Sequence, residues 1–183
     1  MDYNSKSQLR AFAAQNGTIV GLLWMACFAL CVVCIRFNQP IPGLVGEFLG
    51  FISPVVAVRL GRSYGRQTEE GQLSFGRAVR YSLLAYGYAA LLLAMGQFIY
   101  FYLIDPGKQL FQVGVFSEQM NAVIAAFQER YPSEDVTGAF DEIFALSPIE
   151  ITLQMLWTNF MLGFILTLPT ALFTMNRPDK DKN

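Results

Sequence analysis

The chain has 183 residues, 54% of them hydrophobic and only 15% charged, against about 25% charged in an ordinary soluble domain. Its net charge of −1 provides no global basic field for nucleic acid. Histidine is absent, which argues against zinc hydrolases, Ser-His-Asp triads and histidine-ligated haem.

The charges gather in the N-terminal tail, residues 59–80, residues 105–150 and the C-terminal tail, with apolar sequence between. A helix that crosses a bilayer takes about 20 predominantly apolar residues. Four segments qualify, at approximately 18–35, 43–60, 81–104 and 151–173. The expected fold is therefore all-α, an integral membrane four-helix bundle forming a single membrane domain over residues 1–183.

The first span is uncharged and holds all three cysteines, Cys27, Cys31 and Cys34, on one helical face. Cys31 and Cys34 match C-x-x-C, but thiols in an apolar helix read as small packing residues rather than redox or metal groups. The apolar run is too long for a signal peptide and ends in CIRFNQP, without a small-x-small cleavage pattern, so the span is expected to stay attached.

The second span carries Glu47, the one acidic side chain inside a span. A carboxylate at mid-membrane costs about 3 kcal/mol on insertion scales, which makes Glu47 a functional suspect. It lies about one turn from the outer end of the span, so Arg36, just across the connection, is its expected ion-pair partner; the competing reading is a proton or cation site. Gly46 and Gly50 form a G-x-x-x-G pair, and Pro54 interrupts the helix.

Next comes an arginine-rich stretch, expected as a loop, with Arg59, Arg62, Arg66, Arg77 and Arg80 as candidate lipid-headgroup contacts. Four spans put this loop on the same side as both tails, and together these segments hold ten of the thirteen basic residues. Basic residues near span ends mark the cytoplasmic face, so both termini are expected to be cytoplasmic.

The third span is uncharged and includes Gln97 and the small pair Ala90 and Ala94. Residues 105–150 are expected to form an extracytoplasmic amphipathic helical hairpin, with Asp105-Pro106 capping its first helix. The acidic residues of this segment lack the pattern of a calcium loop. Ser147-Pro148-Ile149-Glu150 is a capping box that starts the fourth span. That span includes Gln154, Thr158, Asn159 and Pro169; Gln154 and Thr158, one turn apart, are expected to hydrogen-bond between helices. Glu47, Arg36, Gln97, Gln154 and Asn159 make up the candidate intramembrane polar site.

The run GQLSFGRAVRYSLLAYGYAALLLAMGQFIYFYLIDP, residues 71–106, resembles a family of small bacterial membrane proteins seen mainly in Bacteroidetes. That family is described only as a domain of unknown function. The resemblance rests on Ser74-Phe75-Gly76 before the third span and Ile104-Asp105-Pro106 at its end. It implies four spans in a bacterial inner membrane and a link to polyprenyl-phosphate sugar enzymes, and it assigns no catalytic residue.

No phosphate loop, nucleophile elbow or paired acid site is present, so neither catalysis nor a cofactor is expected. The leading expectation is a non-enzymatic accessory or interaction subunit. Its partners would be membrane lipids and a membrane protein or a second copy of the chain, with an envelope-glycan enzyme as one such partner. The alternative is a small oligomeric transporter, channel or lipid-handling protein that uses Glu47 and the polar residues of the third and fourth spans. A lipid-modifying enzyme built on Asp105 is a third and weaker class.

Overall fold

A computed structural model describes residues 3–68, 73–111 and 145–175, together with residues 122, 125, 126, 129 and 130. It contains four long helices: α1 (Tyr3–Phe37), α2 (Pro40–Thr68), α3 (Phe75–Ile99, widening into a π-helical turn at Tyr100–Ile104) and α4 (Pro148–Thr174). Each is long and apolar enough to cross a membrane. The five residues between 122 and 130 are helical and exposed; the rest of the amphipathic hairpin expected over 105–150 lies outside the described residues, as do Arg177, Lys180 and Lys182.

The helices outrun the apolar segments that define them. α1 begins well before residue 18, and α2 continues through Arg59, Arg62 and Arg66. Arg77 and Arg80 sit in the first turns of α3. The expected arginine loop is thus largely helix, because its apolar residues have partners. Tyr64 stacks on Tyr81 with ring centroids 5.1 Å apart and packs against Phe12, while Leu73, Leu9 and Ala13 complete a small core at this end. Tertiary packing of this kind, rather than propensity, holds the extensions helical.

Helix boundaries follow local chemistry. Asn38 adopts a left-handed conformation, φ 50°, and the Gln39 N–H bonds back to the Cys34 carbonyl at 3.1 Å, ending α1 in a Schellman-type turn before Pro40 opens α2. At the head of α4 the Glu150 N–H reaches the Ser147 hydroxyl at 3.4 Å, and the Ser147 N–H donates to the Glu150 carboxylate at 2.7 Å, which completes the expected capping box. Asp105 caps later than expected. No helix starts at Pro106; the buried Asp105 carboxylate instead accepts from the Gln109 and Leu110 N–H groups, both at 2.8 Å, and fixes a short 3₁₀ turn at Gln109–Phe111.

In cross-section the order around the bundle is α1, α2, α4, α3. α3 packs heavily on both α1 and α4, and α1 packs heavily on α2. The α2–α4 seam is the sparsest of the four adjacent contacts. Large apolar side chains such as Phe48, Phe51, Trp157, Phe164 and Ile165 face outward, whereas Asn16, Ser53, Ser82, Gln97, Thr167 and Thr170 are buried. Polar pairs bridge helices inside: the Asn16 amide donates to the Tyr81 hydroxyl at 2.6 Å, and the Tyr86 and Thr170 hydroxyls meet at 2.8 Å. An apolar exterior over an interior bridged by such polar pairs suits a hydrocarbon surround, where helices associate through hydrogen bonds and close packing.

Candidate functional site

The site grows out of the contact between α1 and α2. A Cβ on Gly43 would lie 2.7 Å from the Cys34 sulfur, and one on Gly46 would lie 3.3 Å from the Cys27 carbonyl oxygen. The cysteine face of α1 therefore meets the glycines of α2, and all three thiols are free. Gly50, the next small residue of α2, differs: nothing lies within 4 Å of where its Cβ would be. There the two helices still run side by side, but space opens toward α4.

That space is a cavity of about 590 Å³, lined by residues from all four helices, including Trp24, Glu47, Gly50, Ser53, Leu93 and Asn159. The volume lies within the range of small-molecule sites, about 300–1,000 Å³. Phe51 of α2, which also lines the cavity, is 82% exposed, and so is much of Leu162 of α4, so the cavity reaches the outer surface of the bundle at these two helices.

Pro54 shapes the wall. A proline inside a helix has no N–H to offer the carbonyl four residues earlier, here that of Gly50. The Ser53 hydroxyl donates to this carbonyl at 2.8 Å and accepts from the Trp24 indole N–H at 3.1 Å. The interruption in α2 is thereby satisfied within the protein, and Trp24, stacked on Tyr86 at 5.9 Å, is fixed against the cavity.

Glu47 lies on the cavity wall, with Cys31 close by. The expected Glu47–Arg36 ion pair does not form among the described residues. Arg36 shares a helical face with Phe28 and Val32, which pack against Tyr100 and Phe101 of α3, and its guanidinium lies beside the Tyr100 hydroxyl. Tyr100, near both Arg36 and Asp105, makes a well-formed hydrogen bond to neither.

Asn159 joins Glu47 around the cavity, and its amide nitrogen is buried without a partner among the described residues. Gln97 is buried, with its carbonyl oxygen unpartnered among the described residues, one turn beyond the cavity-lining Leu93 on α3. Gln154 is not part of this group. It is exposed on α4, and the Thr158 hydroxyl bonds back to the Gln154 main-chain carbonyl at 3.1 Å instead of joining helices. Hydroxyls four residues from a carbonyl satisfy themselves within one helix more readily than across a gap.

Sequence reasoning had not singled out Ser53. A serine directly before a proline inside a span, three residues after a glycine, was the available signal. Of the five arginines, Arg62 has a defined role in the seam: its Nε donates to the Phe173 carbonyl at 2.9 Å, at the C-terminal end of α4, where carbonyls lack helical partners and favour a cation. Beside it, a Cβ on Gly61 would meet the Thr174 side chain at 2.6 Å, so α2 and α4 touch closely here and part beyond.

No curated protein and no solved structure matches this chain. A family model described as "Protein of unknown function (DUF4199)" matches residues 15–176.

Proposed function

On the premise that the chain belongs to this family of unknown function, DUF4199, and is a multi-pass membrane protein, we propose that it is a non-enzymatic binding protein for a lipid-like amphiphile, which enters sideways between α2 and α4. The cavity beside Glu47 and Asn159 carries the reading. It is mainly apolar, with few polar groups, and the outward-facing Phe51 and Leu162 border it. We further propose that the protein sits in a bacterial inner membrane with its arginine-bearing end in the cytoplasm, as the placement of Arg59, Arg62, Arg66, Arg77 and Arg80 supports.

The test is lipid retention. The protein purified in mild detergent is expected to carry a lipid subset enriched over the total membrane extract, as read by mass spectrometry. Gly50→Phe, which places a ring in open space, is expected to lose that enrichment while the bundle stays folded. Equal lipid profiles in the two proteins would overturn the reading.

A second reading, an accessory subunit, is favoured by Gln154. A carboxamide on an apolar outer face, without a side-chain partner among the described residues, is a hydrogen-bonding group suited to a neighbouring helix. The partner class would be a membrane enzyme of envelope glycan or polyprenyl-phosphate sugar metabolism. Recovery of this chain alone from mild detergent counts against it.

A further inference from the structure

The large cavity has a continuation. A second space of about 350 Å³ lies along the same α2–α4 seam, lined by Pro54, Val55, Val58, Arg62, Pro169 and Phe173 among others. Pro54 belongs to both walls, and the α2 and α4 residues lining the second space follow those lining the first, so the two adjoin end to end along the seam as a groove in two parts. Its ends carry opposite charge. Glu47 stands at one and Arg62 at the other, fifteen residues apart on α2, or about 22 Å along the helix. That is close to the length of an extended fatty acyl chain.

Arg62 is suited to hold a head. One of the five donors of its guanidinium is tied to the Phe173 carbonyl, which orients the group and leaves the remaining donors, and no carboxylate pairs with it among the described residues. The fork of N–H groups on arginine matches phosphate oxygens. Arg59 and Arg66, three and four positions away on α2, are exposed and strengthen the positive field there. At the other end the Glu47 carboxylate would repel a phosphate, so the groove has a direction.

We propose that the groove seats one anionic phospholipid from the leaflet at the arginine-bearing end, with its phosphate on Arg62 and one acyl chain running past Pro54 toward Trp24. The assignment rests on the lateral-entry reading above and adds the headgroup and its position.

Trp24 and Trp157 are the two tryptophans of the chain, and Trp157→Phe leaves Trp24 as a single reporter inside the groove. The full chain carrying this change is reconstituted in phosphatidylcholine vesicles with a minor fraction of phosphatidylglycerol. Bromine, which quenches indole fluorescence, is carried on the acyl chains of one lipid or the other. At equal mole fraction, brominated phosphatidylglycerol is expected to occupy the site with roughly fivefold preference, the order of one basic residue acting on an anionic lipid. Arg62→Gln should bring the ratio near one, and Arg62→Lys should keep most of the preference. Equal quenching by both lipids in the Arg62 protein, or full preference in Arg62→Gln, overturns the headgroup assignment and leaves lateral entry standing. Absence of quenching by either lipid overturns lateral entry itself.

Discussion

Ser53 answers the carbonyl that Pro54 leaves free and accepts from Trp24, so one hydroxyl supports both a helix interruption and an aromatic wall. Ser53→Ala strands a half-buried carbonyl and a buried indole N–H. It is expected to lower stability by about 1–2 kcal/mol in a detergent-unfolding titration. Ser53→Thr, which keeps the hydroxyl, should retain most of that. At this scale the sequence exposed charge but not contact. Glu47 stood out because an ionisable group in an apolar run is rare. Its partner was misjudged because proximity along the chain does not say which face of α1 Arg36 occupies. A double-mutant cycle of Glu47→Gln and Arg36→Ala is expected to give a coupling energy within about 0.5 kcal/mol of zero, as for independent sites. A larger favourable coupling would restore the ion pair.

Between α1 and α2 the small residues divide into two kinds, and substitution should separate them. Gly43→Ala forces a methyl against the Cys34 sulfur and is expected to destabilise the bundle, with Cys34→Ala relieving the clash in the double mutant. Gly50→Ala meets open space and should stabilise α2 by about 0.5–1 kcal/mol through helix propensity. Thermal unfolding of the four proteins in one detergent checks both. A G-x-x-x-G pattern could not have told Gly46 from Gly50, since both satisfy it and only the partner helix decides which is filled. Element existence was plain from apolar length; element ends were not. α2 reaches Thr68 because Tyr64 finds Tyr81 and Gly61 lies against Thr174, long-range contacts that no local pattern encodes.

For the molecule as a whole, the four-span count and the all-helical class were legible because hydrocarbon thickness sets a length that four segments meet. The open seam was not, since it depends on how four apolar surfaces share their neighbours. The orientation proposed from the arginines is tested by a tag at each end of the chain in spheroplasts. Both tags should resist an impermeant external reagent, and labelling of either from outside reverses the assignment. A last consequence comes from where α2 and α4 meet. Arg62 on Phe173 and Gly61 on Thr174 fasten them at one rim, while past Pro54 the pair stands apart. A barrel hooped at one end closes under lateral pressure at its free end, like a clothes-peg pivoting on its spring. Occupancy of the gap should therefore follow the stiffness of the surrounding lipid, tighter packing of saturated tails squeezing the free ends together and expelling what lies between them.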